Sequence, residues 1–195
     1  MFPRIAKRIY SYLSNKGLLN QEDEDIYIYA LEVVTLNMSI FVVIFAISVM
    51  MKQLETMVSF LVFFVPLRIF SGGYHAKRSE TCFELSILSY VLVLLVVDSY
   101  PQLYLNGVLQ VITAFMLIIM FTLAPLVNEN HPIGEVQYRR NKGIVRLLLV
   151  IDFVLLVLGV ISQMLYCSDL MIFILLNGVL CMIGKIEQVV LQKTN

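Results

Sequence analysis

One imidazole and one thiol stand seven residues apart in a chain otherwise poor in reactive groups. They are His75 and Cys82, the end of the stretch Arg68-Ile-Phe-Ser-Gly-Gly-Tyr-His75-Ala-Lys-Arg-Ser-Glu-Thr-Cys82. A thiol with a nearby imidazole reads first as a nucleophile and its base. Two residues alone do not define a site, and the plainer alternative is a basic loop that happens to contain them. Arg68 stays protonated and cannot shuttle protons, but it suits a carboxylate or a developing oxyanion. Its plainer role is an anchor at the membrane surface.

The spacing sets a geometric condition. On one straight helix, seven residues put His75 about 10 Å from Cys82, beyond hydrogen-bond reach. The backbone must therefore break between them, and Gly72-Gly73 supplies residues that tolerate unusual conformations. Thr81-Cys-Phe-Glu84 matches a capping box, which predicts Thr81 as a helix cap and Cys82 as the first helical residue. A helix N-terminus, Lys77 and Arg78 favour a thiolate there, while Glu80 and Glu84 oppose it. A third group should orient the imidazole. Glu32, Glu80, Asn128 and Glu129 are all candidates, with Glu32 preferred because a buried acid needs a partner. Ser71 and Ser79 read as cap or turn residues, and His131 as a loop residue.

The elements that must carry these groups are membrane helices. Of 195 residues, 59% are hydrophobic and 14% charged, and the mean hydropathy is +0.86. Soluble domains average about 25% charged residues. The chain therefore reads as all-α, a polytopic helical membrane protein, with residues 1–195 forming one integral membrane domain. Apolar runs predict six spans, at 26–51, 54–70, 83–98, 103–124, 144–166 and 170–186. Pro66 predicts a kink or stop in the second span, which could instead be re-entrant. Asp152, inside the fifth span, is expected to pair with a basic group or hydroxyl.

Residues 1–20 interleave Arg4, Lys7, Arg8 and Lys16 with Phe2, Ile5, Ile9, Tyr12 and Leu13. That helical period predicts an amphipathic interfacial helix, ended by Gly17, and not a signal peptide. With six spans, one side carries every Lys and Arg except Lys52. The positive-inside rule places that side, with both termini and the His75/Cys82 loop, in the cytoplasm. A net charge of zero gives no nucleic-acid footprint. Cys82, Cys167 and Cys181 form no CxxC pair, and two histidines are too few for a zinc site. No metal or other cofactor is expected.

Arg68, Gly72-Gly73, His75 and Cys82, at this spacing after an apolar run, resemble the signature of the accessory gene regulator B (AgrB) family. Ala124-Pro125 closing an apolar run, followed by a polar loop with Pro132, is similar to that family's second loop. Length and hydropathy layout agree over most of the chain. The resemblance implies a membrane-embedded cysteine endopeptidase of Gram-positive quorum sensing and virulence regulation. It implies catalytic His75 and Cys82, with Arg68 and Gly73 in support. The implied substrate is an AgrD-like propeptide, cleaved through a Cys82 thioester and cyclised to a thiolactone or lactone, and the implied assembly is a homo-oligomer, a dimer. The rival readings are a small transporter or channel using Glu32, Arg68 and Asp152, or a non-catalytic membrane scaffold. The absence of internal repeats counts against a transporter.

Overall fold

The computed structural model describes residues 2–17, 23–72, 79–126 and 134–194, with side chains to residue 190. These residues form seven helices and no strand. They are α1 (Phe2–Asn15), α2 (Glu24–Met51), α3 (Leu54–Ser71), α4 (Ser79–Ser99), α5 (Gly107–Leu123), α6 (Glu135–Ile161) and α7 (Tyr166–Thr194). Five of them are long and apolar enough to cross a bilayer, namely α2, α3, α4, α6 and α7. At 17 residues α5 is shorter, about 25 Å at helical rise against a hydrocarbon core of about 30 Å. The fold is that of a polytopic all-α membrane protein.

Helix α1 forms because one face repeats every four residues. Phe2, Ala6 and Tyr10 are buried, and the helix packs on α2. Arg4, Lys7 and Arg8 face outward. Ile9 and Tyr12 are also exposed, so the buried stripe differs from the apolar set first suggested by the spacing. The helix ends at Asn15, short of residue 20, with Gly17 at φ +70°. A positively charged outer face with scattered apolar side chains suits a bilayer surface.

Helix α3 shows how Pro66 is accommodated. The helix neither stops nor snaps at the proline. Phe60–Phe64 widens into a π-helical turn, and Val65–Ser71 resumes as α-helix with Pro66 near its start. Proline lacks the amide that would donate one turn back, and its ring crowds that carbonyl. A widened turn relieves the crowding. The amide of Asn177 reaches Phe64 O at 3.4 Å from α7.

Other boundaries moved for local reasons. α5 starts at Gly107 and not at 103, because Leu103–Leu105 is a 3₁₀ turn and Asn106 caps the helix by accepting from Leu109 N at 3.1 Å. α6 starts at Glu135, so Arg139, Arg140 and Lys142 extend the fifth apolar run as helix.

Helix α7 is the spine. Its buried residues run from Cys167 through Ile174 and on to Asn177 and Cys181, while α2 exposes Val34, Met38, Phe41, Val42 and Phe45 along its length. One core joins α5, α6 and α7 with Leu67 and Leu126. The other joins α2, α3, α4 and α7 around Phe60, Phe64, Tyr90 and Phe173. The Phe60 ring meets Tyr90 at 5.0 Å and Phe173 at 5.7 Å, both edge-on, the geometry aromatic quadrupoles prefer.

One end of the bundle is closed by polar contacts. Gln53 donates to Asp98 at 3.1 Å, Ser168 donates to Pro101 O at 2.7 Å, and Tyr104 OH donates to Gln163 O at 3.2 Å. The opposite end gathers α1, the end of α3, the start of α4 and the end of α5. The pairing expected for Asp152 is not found. This side chain is 4% exposed, and no hydrogen bond or ion pair reaches it among the described residues.

Candidate active site

Cys82 sits near the start of α4 and is half-buried, whereas Cys167 and Cys181 are fully buried. Of the three thiols it alone is open to a substrate. It is not the first helical residue. Ser79, Glu80 and Thr81 already belong to the helix, so Thr81 does not cap it. Ser79 Oγ donates to Glu32 Oε1 from α2. Ser79, Cys82 and Ser86 follow one another at three- and four-residue steps and so share a helix face. Ser86 Oγ donates to Cys82 O at 2.8 Å. Glu32 thereby approaches the same face of α4 as the thiol.

Arg68 arrives from α3. It is half-buried, and its guanidinium donates to Gly72 O. The guanidinium is thus engaged with main chain at the end of its own helix. Sequence reasoning gave it only substrate or interface roles.

Ser71 ends α3, and Gly72 turns the chain at φ +68°, ψ −138°, a region only glycine enters freely. A Cβ on Gly72 would stand 2.2 Å from Leu126 O. The two segments run parallel there, and Leu126 N donates to Ser71 O at 2.9 Å. Ala124, Pro125 and Leu126 are buried. The Ala124-Pro125 peptide is cis. The two stretches singled out in the sequence therefore meet through main chain. No periodicity could have revealed that, since both are short and non-helical at the contact.

From α1, Phe2 rests on Phe83 with ring centroids 5.7 Å apart, one residue beyond Cys82. Sequence reasoning missed this contact as well. His75 and Gly73 lie outside the described residues, as do Lys77, Arg78, Asn128, Glu129 and His131. The expected break between His75 and Cys82 lies there too.

This geometry is that of a helical membrane protein whose partly exposed thiol lies near the start of α4, on the helix face that Ser79 ties to Glu32. Residues 6–184 match the model of the family Accessory gene regulator B, and the chain belongs to that family. An AgrB-like protein of Clostridium beijerinckii is 27% identical over 141 residues, 72% of this chain and 67% of that protein. AgrB-like proteins of Listeria monocytogenes serotype 4a (strain HCC23) and Listeria welshimeri serovar 6b are 27% and 28% identical over 124 residues. Those matches cover 62% of this chain and 60% of each Listeria protein. No solved structure matches. Family membership supports a part in agr quorum-sensing peptide processing.

Proposed function

We propose that this protein is a membrane-embedded cysteine endopeptidase that removes the C-terminal tail of an AgrD-like propeptide and hands the remainder on for cyclisation. The observation that carries the reading is Cys82, the one partly exposed thiol of three, in a chain matching the AgrB family over residues 6–184. Cys82 and His75 are the proposed nucleophile and base. Arg68, Gly73 and Glu32 support them.

Each step balances. His75 takes the Cys82 proton, and the sulfur attacks the carbonyl between the pheromone segment and the tail. The peptide C–N bond breaks as the C–S bond remains, and the tail amine leaves with the proton returned by His75. A thiol or hydroxyl within the propeptide then gives its proton to His75 and attacks the thioester carbonyl; the C–S bond to Cys82 breaks as the ring bond forms, and His75 returns the proton to the Cys82 sulfur. Exchange of a thioester for a thiolactone is nearly isoenergetic, so excluding water decides between cyclisation and hydrolysis. A site at the bundle end, beside the surface helix α1, suits an amphipathic peptide lying on the same leaflet. The site loop and both termini are proposed to face the cytoplasm, and the protein to act as a homodimer.

The test is Cys82→Ser beside Cys181→Ser in cells co-expressing a cognate propeptide, with tail removal followed by mass. Loss with Cys82→Ser alone supports the reading. Normal cleavage by Cys82→Ser returns the protein to the scaffold or transporter class.

A further inference from the structure

We propose that the outward side of α1 binds anionic phospholipid headgroups, and that this binding holds Phe2 in its contact with Phe83, beside Cys82. The proposal goes beyond the peptidase reading and does not depend on it. Seating α1 on α2 uses only part of the helix, since the buried residues are Phe2, Ala6 and Tyr10. Two further faces remain uncovered. Arg4 lies three and four residues from Lys7 and Arg8, Ser11 continues that face, and all four are exposed. Ile9 and Tyr12, 36% and 59% exposed, form an apolar flank, and Lys16 Nζ stands 4.7 Å over the Tyr12 ring.

This combination selects the partner. Residues 2–16 contain Arg4, Lys7, Arg8 and Lys16 and no Asp or Glu. No ion pair reaches these cations among the described residues. A cluster of about four basic residues beside a membrane-spanning helix attracts anionic headgroups, each residue contributing about fivefold to binding. An acidic peptide would answer the charges but would leave Ile9 and Tyr12 in water. A bilayer surface takes both, because a tyrosine ring sits at headgroup level and a lysine beside it reaches the phosphates. The charge bears on the candidate site through packing. Cations one turn apart on a short helix repel one another, and headgroup phosphates relieve that repulsion. Phe2 stands in the first turn of the same helix, its ring 5.7 Å from that of Phe83. Holding α1 on the leaflet therefore holds Phe2 against the first turns of α4.

The experiment uses the full chain in nanodiscs made of phosphatidylcholine alone or of equal parts phosphatidylcholine and phosphatidylglycerol. The chain has no tryptophan, so Tyr12→Trp gives a single fluorophore on the exposed flank. In the mixed discs, brominated phosphatidylglycerol is expected to quench it about fivefold more than brominated phosphatidylcholine. Replacing Arg4, Lys7, Arg8 and Lys16 by Gln is expected to make the two lipids equal. Equal quenching with the four cations in place overturns the proposal, and a spectral shift on adding an acidic peptide would then give the face to a peptide. The second reading is maleimide alkylation of Cys82, the one thiol of three that is not buried. Phosphatidylglycerol is expected to slow it about fivefold, and Phe2→Ala to make it fast in both discs. Phe2→Leu, which keeps an apolar seat, should stay slow in the mixed discs. Slowing that persists in Phe2→Ala, or no slowing at all, overturns the link from headgroups to Phe2. Neither reading needs a propeptide, so both stand or fall apart from the outcome of Cys82→Ser.

Discussion

Ser79 at the start of α4 donates a hydrogen bond to Glu32 on α2, 47 residues earlier in the chain. The bond fixes the first turn of the helix that presents Cys82. It also occupies one oxygen of the acid that the sequence favoured as the partner of the imidazole. Glu32 and Ser79 are both half-buried, and a hydrogen bond of this kind contributes about 0.5–1.5 kcal/mol. Glu32→Gln, which can still accept, is expected to keep most of the tail-removal rate. Glu32→Ala is expected to lose at least tenfold and to melt earlier in detergent. Equally reduced rates in the two variants would show that the carboxylate itself, and not the hydrogen bond, is what matters, and wild-type rates in both would show that neither does.

Gly72→Ala should be among the least tolerated single-methyl additions in the chain. The new Cβ meets the backbone oxygen of Leu126 at 2.2 Å, and φ +68° is itself strained for alanine. Strain of this kind costs about 1–3 kcal/mol before any repacking. Tail removal should drop below detection while the protein still inserts in the membrane, as followed by protease protection and by mass.

The α6–α7 hairpin offers a prediction with a built-in rescue. A Cβ on Gly159 would stand 2.1 Å from Cys167 Sγ and 2.9 Å from the Tyr166 hydroxyl. Gly159→Ala is expected to lower the melting temperature by forcing the helices apart. Adding Cys167→Gly removes the nearest atom and should restore part of the loss. A double-mutant cycle on thermal unfolding measures the coupling, expected at about 1 kcal/mol or more.

Asn177 is 1% exposed in the core between α3 and α7, and its Oδ1 has no hydrogen-bond partner among the described residues. An unsatisfied buried acceptor costs about 1–3 kcal/mol. Asn177→Leu should therefore be neutral or stabilising despite losing the 3.4 Å contact to Phe64 O. A clear loss of thermal stability would mean that this long contact holds the π-helical turn of α3 in place.

Much of the fold could be read from hydropathy, because apolar runs long enough to span announce themselves residue by residue. α2, α3, α4, α6 and α7 all sit on the predicted runs, and α1 has the expected amphipathic period. Boundaries were less legible. Glu135 to Lys142 reads as loop by composition, yet it continues α6. Pro66 was visible as a disturbance, but whether a helix kinks, stops or widens depends on what packs beside it. The Cys82 environment was misread for a similar reason. Thr81 to Glu84 has a local capping pattern, yet the helix already covers Ser79, whose bond to Glu32 on another helix leaves no local signal. The Gly72–Leu126 pairing joins two irregular segments far apart in the chain, and neither carries a periodic signal.

The contact between Phe2 and Phe83 has a practical consequence for handling this protein. Phe2, at the start of α1, lies against the residue that follows Cys82. A purification handle or fluorescent fusion placed at that end would crowd the approach to the thiol and could pull α1 off its seat on α2. The same handle after Thr194 is joined to the spine helix α7 and leaves the seating of Phe2 undisturbed.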